Sequence, residues 1–346
     1  MPLKVETSLE PMESRPVEEI PEGDNWLYEP KWDGFRCLAF RSGNKVELQS
    51  KSGQSLARYF PELVEALLAL KPKQFALDGE IVIPDDHGSF SFDQLLQRVH
   101  PAASRVKKLS IETPCIYIVF DLLADSRGNS LVKTPLKERR ELLQDFLSKI
   151  DNRNGTIQIS PATRDITTAR RWFGAAGAAT DGIMAKLLDE PYDSGTRDGM
   201  VKIKPVRTAD CVVGGFRYAA KGKIVGSLLL GLYDDAGLLN HIGFCSGMTN
   251  AMRQELTPRL EKLIKSPGFT GSAPGGPSRW SNGRSAEWEP LKPELVVEVG
   301  WSHFTGGRFR HGTKFLRWRP DKAPAQCKLE QVATPGAGAM RLLGKN

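Results

Sequence analysis

The stretch Tyr28–Arg36 reads Y-E-P-K-W-D-G-F-R. A lysine can act as a covalent nucleophile only in its neutral form, and its reference pKa is about 10.4. Desolvation or a neighbouring cation, such as a metal ion or a second lysine, lowers that value. Lys31 is therefore a candidate covalent catalyst if the rest of the chain supplies such neighbours. Without them it is an ordinary lysine in a short charged motif.

Three further groups could supply them. In Gln74–Ile83 (Q-F-A-L-D-G-E-I-V-I), strand alternation sends Phe75, Leu77, Ile81 and Ile83 to one face, and Asp78 and Glu80 to the other. Carboxylates on so apolar a strand are costly unless paired or bound to a cation; an exposed polar face is the alternative. In Met200–Lys204, Lys202 and Lys204 share a face. Like charges side by side repel, which a bound polyanion such as triphosphate relieves; a lysine-dotted strand edge is the plain alternative. The window Trp301–Lys322 holds Arg308, Arg310, Lys314, Arg317, Arg319 and Lys322 against one acid, Asp321, with Trp301, Phe304, Phe309, Phe315 and Trp318 interleaved. That mixture suits a nucleic-acid backbone or nucleotide phosphates.

These groups need elements to carry them. Met1–Asn25, rich in Glu and Pro, reads as a leader strap. Ser42-Gly43-Asn44 between Phe35–Arg41 and Lys45–Gln49 signals a hairpin. Phe60, Leu63, Val64, Leu67 and Leu68 mark an amphipathic helix with Pro61 in its first turn. Cys115–Leu123 is an apolar, buried strand ending near Phe120-Asp121. A helix follows Thr134-Pro135, with Thr134 as N-cap, and another covers about Ile166–Ala176. Thr180–Lys186 and Met200–Lys204 are short strands. Composition shifts near Pro205. Beyond it come strands Asp210–Tyr218, Ile224–Tyr233 and Leu238–Ser246, and a helical stretch over about Asn250–Lys265, broken at Pro258. A Gly/Pro/Ser-rich flexible loop over Pro267–Ser285 precedes closing strands Glu294–Trp301 and Thr313–Trp318. Short strands plus one helix fit a small five-stranded barrel of OB type.

Whole-chain properties bound the reading. The 346 residues favour two domains, and 40% hydrophobic residues support a real core. The net charge of +7 and pI of about 9.1 favour a polyanionic partner. The five cysteines are scattered without a C-x-x-C pair, which fits a reducing compartment and argues against a zinc ribbon or a disulfide framework. The histidines lack ligand spacing. No basic-then-apolar leader and no membrane-length apolar run is present. P-loop, dinucleotide-fingerprint, G-x-S-x-G and H-E-x-x-H signatures are absent, which removes those chemistries.

In order along the chain, these stretches resemble the covalent nucleotidyltransferases and, among them, the ATP-dependent DNA ligases. Lys31–Arg36 fits KxDGxR, Ser50-Lys51-Ser52-Gly53 fits the usual SRxG, Asp78-Gly79-Glu80 the third motif, and Phe120-Asp121 the aromatic-Asp motif. Asp181–Lys186 fits the usual EGxxxK, Lys202-Ile203-Lys204 the fifth motif, and Arg317–Lys322 the RxDK motif. The compact length, the run Arg58–Glu62 and the tail F-R-H-G-T-K-F-L-R-W-R-P-D-K are similar to the small bacterial C-type ligases.

The resemblance implies an α+β architecture. An ATP-grasp-like nucleotidyltransferase domain with mixed antiparallel sheets (1–205) precedes a β-rich OB-fold barrel (206–346), with a hinge near Pro205. It implies that Lys31 attacks ATP to form lysyl-AMP, that AMP passes to the 5′-phosphate of a nick, and that the 3′-hydroxyl displaces it. Lys202 and Lys204 would hold the α-phosphate and help keep Lys31 neutral. Glu29 would read the adenine amino edge, Phe120 stack on adenine, and Arg36 contact ribose or the nick phosphate. Lys51 and Lys186 complete the nucleotide site. Glu80 would bind the ribose or metal waters, and Asp33 and Asp181 would be further partners of Mg²⁺ or Mn²⁺. Asp321 and Lys322 would orient pyrophosphate, and Arg308, Arg310, Lys314, Arg317 and Arg319 would meet DNA. Two positions depart from the pattern: Asp181 stands where Glu is usual and Lys51 where Arg is usual, leaving Arg58 as the candidate to compensate. The implied partner is nicked double-stranded DNA, with repair proteins as further candidates, for a monomer in the bacterial cytoplasm at the nucleoid. An RNA ligase, a GTP-using capping enzyme and a catalytically silent nucleic-acid-binding module stay open as alternatives.

Overall fold

The computed structural model describes residues 3–86, 88–150, 155–176, 180–220, 222–275, 287–333 and 339–344. Strand Phe35–Ser42 folds back as Lys45–Ser50 across Gly43 and Asn44, with Ser42 opposite Lys45. Gly43 has a φ of 63°, the left-handed conformation such a tight turn requires. Helix Pro61–Ala69 buries Leu63 and Leu67. Its last carbonyls would be orphaned, but the buried Arg41 guanidinium donates to Leu67 O (2.6 Å), Leu68 O (2.9 Å) and Leu70 O (2.7 Å).

The chain divides into two compact units, Met1–Pro205 with Pro335–Asn346, and Val206–Thr334. The first unit has two sheets. One runs in the order Lys45–Ser50, Phe35–Ser42, Gln74–Val82, Ile116–Ala124, Ile157–Ile159, antiparallel except for the last pair. Ile116–Ala124 is buried throughout, as its apolar run dictates. The other runs Arg15–Val17, Met200–Ile203, Ile183–Leu187, Trp26–Pro30, with the first pair parallel. The amino-terminal strap is thus part of a sheet, and its Val5 and Met12 are core residues.

The second unit is an antiparallel sheet in the order Leu239–Cys245, Val225–Tyr233, Arg207–Tyr218, Val296–Trp301, Lys314–Trp318. Glu289–Pro290 adds to Arg207–Tyr218. The five strands of the ladder are those expected of an OB-type barrel; among the described residues the ladder does not close continuously, and an isolated bridge, Cys245 to Thr313, joins its two ends. The tail differs from the expected 206–346 boundary. Helix Ala339–Leu342 belongs with the first unit, where Met340 N–H donates to Gly88 O (2.9 Å). Met340, Leu342 and Leu343 pack with Trp32, Val82 and Ile118.

Local expectations also shift. Pro135, not Thr134, is the N-cap of helix Leu136–Ser148, and no side chain caps it. The Thr134 carbonyl instead accepts from Arg139. Helix Asn250–Glu261 runs through Pro258. A proline costs an interior helix about 3 kcal/mol, which the burial of Leu256, Thr257 and Leu260 offsets. Helices Phe92–Arg98 and Ala103–Glu112 fill a stretch with no assigned element. Of the proposed loop Pro267–Ser285, residues 276–285 lie outside the described residues, whereas Phe269 is buried in the second core. No described helix is long and apolar enough to cross a membrane.

Candidate active site

Strand Trp26–Pro30 pairs with Ile183–Leu187, placing Pro30 opposite Ile183. Just past that pair the two motifs lock backbone to backbone: Lys31 N–H donates to Gly182 O (2.9 Å) and Asp181 N–H to Lys31 O (2.8 Å). Gly182 has a φ of 128°, and a Cβ there would lie 2.0 Å from Ile203 O. Only glycine lets this turn press against the strand that leads to Lys204. On the other side, Gly34 N–H donates to Glu80 Oε1 (3.1 Å), and a Cβ on Gly34 would strike Ile81 O at 2.2 Å. The loop Lys31–Gly34 is therefore gripped by two motif segments, Asp181-Gly182 and Glu80-Ile81.

The side chains follow. Lys31 Nζ lies 2.6 Å and Lys204 Nζ 2.7 Å from the same oxygen, Asp181 Oδ2. Lys202, on the adjoining strand end, has its pKa lowered, first by burial and then by Lys31, Lys204, Lys51 and Arg197. Burial pushes the Glu80 carboxyl up to about 7, against the pull of Arg36 and Lys31. A carboxylate oxygen of Asp33 lies within 4.8 Å of one from Asp181. Oxygen donors at that spacing, beside the half-buried Glu80 carboxyl that a cation would return to its charged form, suit a divalent metal ion.

A second cluster lies on the same elements. Glu29 is buried and accepts from Lys186 Nζ (2.9 Å), with Arg140 Nη1 at 3.8 Å. Arg36 Cζ and Lys186 Nζ lie over the Phe120 ring at 4.6 and 4.4 Å. Phe120 is 8% exposed, so a base stacks on it only after one of these cations yields. Arg36 stands opposite Glu80 in register but binds Asp78 through Nε and Nη2, both at 2.6 Å. Tyr192 O–H also donates to Asp78 (2.7 Å). A cavity of about 20 Å³ lies among Arg36, Asp78, Phe120, Lys186 and Tyr192. It has room for about one water, not for a purine.

Lys51 stands apart. It is 61% exposed and pairs with Glu13 at 2.9 Å; Arg197 holds the same carboxylate at 2.8 Å. Arg58, the candidate to compensate for Lys51, instead donates to Pro101 O (3.0 Å) and covers the Tyr59 ring. The cation that shares Lys51's carboxylate is Arg197, on the turn-rich loop between two motif strands. Sequence reasoning missed it, and likewise Tyr192, Arg139, which chelates Asp121, and Arg140; Asp78 was read as a carboxylate in need of a cation, and Arg36 is that cation.

In the second unit, Arg308, Lys314 and Arg317 are exposed and Arg310 is half-buried. The interleaved aromatics face inward: Phe309 is buried against Trp301 and Phe304, with Trp318 and Phe315 packed on the same core. They serve packing, not base stacking. Arg319 chelates Asp321, whose pKa falls to about 2 through that hydrogen bond.

Comparison with known proteins matches this arrangement. A family described as "ATP dependent DNA ligase domain" covers residues 10–204, and "ATP dependent DNA ligase C terminal region" covers residues 221–322. The chain belongs to the ATP-dependent DNA ligases. It is 42% identical to DNA ligase C1 of Mycolicibacterium smegmatis, over 97% of each chain. It is 41% identical to DNA ligase C of Mycobacterium tuberculosis, over 97% of this chain and 96% of the relative. Among solved structures, one from "DNA binding with a minimal scaffold: Structure-function analysis of Lig E DNA ligases" shares the fold, with a TM-score of 0.54, 16% identity, and coverage of 90% of this chain and 99% of that one. This membership carries the nucleotidyltransferase-plus-OB architecture of the ligase family, and ATP as its nucleotide.

Proposed function

We propose that this ligase seals nicks bearing a 3′-hydroxyl and a 5′-phosphate through a lysyl-AMP intermediate on Lys31. The observation that carries the reading is the convergence of Lys31 and Lys204 on Asp181 Oδ2, with Glu80 bracketing the same loop.

The Lys31 Nζ lone pair attacks the α-phosphorus of ATP. An N–P bond forms and the bond to pyrophosphate breaks. The proton that Lys31 sheds has Asp181 Oδ2 2.6 Å away to receive it. An oxygen of the nick's 5′-phosphate then attacks the adenylate phosphorus, the N–P bond breaks, and Nζ regains a proton. Last, the 3′-hydroxyl oxygen attacks the 5′-phosphorus, AMP leaves, and the hydroxyl proton goes to solvent. Phosphoryl transfer of this kind is governed by positioning and charge stabilisation. Lys202 and Lys204 hold the α-phosphate, and an incoming triphosphate replaces Asp181 as the counter-charge of Lys204. Arg197 joins Lys51 on the phosphates once Glu13 lets go, which exposed ion pairs allow at small cost. Glu29 reads the adenine edge, Phe120 stacks on the base, and Arg36 turns from Asp78 to ribose or the nick phosphate. Glu80, Asp33 and Asp181 would hold Mg²⁺ or Mn²⁺, which supplies charge neutralisation at the phosphates. Asp321 and Lys322 attend the leaving pyrophosphate. Arg308, Arg310, Lys314, Arg317 and Arg319 meet the DNA backbone.

Action as a monomer, in the cytoplasm, and in repair rather than replication belong to the same proposal, supported by the likeness to C-type ligases. The test is a chase. Enzyme labelled with α-³²P-ATP is mixed with nicked DNA and, separately, nicked RNA. Label moving to the DNA 5′-end, followed by sealing, is expected. Label that moves only to RNA refutes the substrate assignment.

A further inference from the structure

In the second unit, strand Arg207–Tyr218 lies beside Val296–Trp301 and sets Asp210 directly opposite Glu298. Two carboxylates facing each other across antiparallel strands repel, and a fold has no use for the pair unless cations meet it. The cations come from one short run. Arg317 Nε lies 2.6 Å from Glu298 Oε2. Arg319 Nη1 lies 2.8 Å from Asp210 Oδ1 and 4.0 Å from Glu298. Lys322 Nζ lies 3.0 Å from Asp210 Oδ2. Arg319 also chelates Asp321 through Nε and Nη2, at 3.0 and 2.8 Å.

Asp210 is therefore the hub. Its two oxygens take one cation each, and those cations flank Asp321 in sequence. Its side chain is 11% exposed. Its backbone is fixed as well: Asp210 N–H donates to Gln331 Oε1 (3.0 Å), and Gln331 Nε2 donates back to Asp210 O (3.2 Å). A carboxylate held this firmly sets the spacing of two flexible side chains that otherwise have many rotamers. It also balances their charge until a stronger anion competes.

We propose that Asp210 is a positioning residue for the adenylation step, holding Arg319 and Lys322 ready and releasing Lys322 to the leaving pyrophosphate. The inference rests on the reading that Asp321 and Lys322 act in that step. Asp210 touches no reacting atom. Replacing it with Asn keeps the shape but leaves two cations without their shared charge, so Lys322 loses its starting position.

The test separates the steps on the full chain. For Asp210→Asn, single-turnover lysyl-AMP formation is expected to slow by about tenfold to a hundredfold, with KM for ATP changed less than kcat. Sealing of a pre-adenylated nick is expected to stay within about twofold of wild type. Asp210→Glu, which keeps the charge, is expected to fall between wild type and Asn. A merely structural role would slow both steps alike, and that result overturns the proposal, as does an adenylation rate equal to wild type. If Asp210→Asn melts below the assay temperature, Asp210→Glu carries the same comparison: slowed adenylation with intact sealing supports the role, and two wild-type rates overturn it. Lys322→Ala separates the two layers. Slow adenylation there with normal adenylation in Asp210→Asn sinks the Asp210 role alone, whereas normal adenylation in Lys322→Ala sinks the reading beneath it.

Discussion

Around Lys202 the charges that act on it are positive: Lys31, Lys204, Lys51 and Arg197. Around Arg319 each motif cation has a carboxylate within 3.0 Å. The two motif centres, one in each unit, thus carry the same residue types in opposite balance. The first crowds cations together and keeps a repulsion that a polyanion relieves. The second matches Arg317, Arg319 and Lys322 with Glu298, Asp210 and Asp321; in both centres a carboxylate must yield to a phosphate, but in the first Asp181 and Glu13 are shared between cations and are outnumbered by them. The difference teaches that a basic motif can be built with or without matching acids, and that the number of acids per cation tells the two apart, since each centre has a buried one, Asp181 or Asp210.

The strongest way to break the contrast is to remove the nucleophile. Lys31→Ala is expected to abolish the covalent AMP adduct on a denaturing gel while leaving the melting temperature near wild type. A retained adduct would mean that the crowded centre is not where AMP is attached. Next in size is Gly182→Ala. Its Cβ would sit 2.0 Å from a backbone carbonyl at a φ of 128°, so a loss of about 4 kcal/mol or more in urea unfolding is expected. An alanine variant as stable as wild type would show that the grip between Lys31 and Gly182 is loose.

In the second unit, His241 packs edge-on against Phe269 at 5.3 Å, and burial, then Arg308 and Arg217, push its pKa down to about 4. Because the folded value lies below the unfolded one, near 6.5, the unfolded chain binds more protons between those limits. The stability from neutral His241 is full above pH 6.5 and is lost as pH falls towards 4, by about 3 kcal/mol at 1.36 kcal/mol per unit. His241→Phe is expected to flatten that limb in urea melts taken across the range; an unchanged slope would clear His241 of the effect. The smallest effect is expected from Arg58→Ala, within about 0.5 kcal/mol of wild-type stability and with unchanged adduct formation. A large loss of adenylation there would restore Arg58 to the nucleotide site and remove the case for Arg197.

Much of the first centre was legible in the sequence, and for a physical reason. Lys31, Glu80, Lys202 and Lys204 sit on strands or at strand ends, where alternation fixes which side chains share a face. The pairing partners were not legible. Asp78 lies 42 residues from Arg36, and Asp210 lies 109 from Arg319; strand register brings each pair together, and nothing local signals it. Arg58 seemed a substitute for Lys51 because it is near in sequence, yet the strap that carries Glu13 brings Arg197 there instead. Pro258 seemed a breaker because propensity favours one, and burial of its neighbours outweighed it. The aromatic residues near the end of the chain were readable as a cluster, but their inward direction was set by the core they cover.

The most direct measurement is where AMP sits. The protein is incubated with α-labelled ATP and Mg²⁺, digested, and its labelled peptide sequenced by mass spectrometry. The account predicts AMP on Lys31 alone, through an acid-labile and hydroxylamine-sensitive N–P bond. AMP on Lys202, Lys204 or any other residue would contradict it.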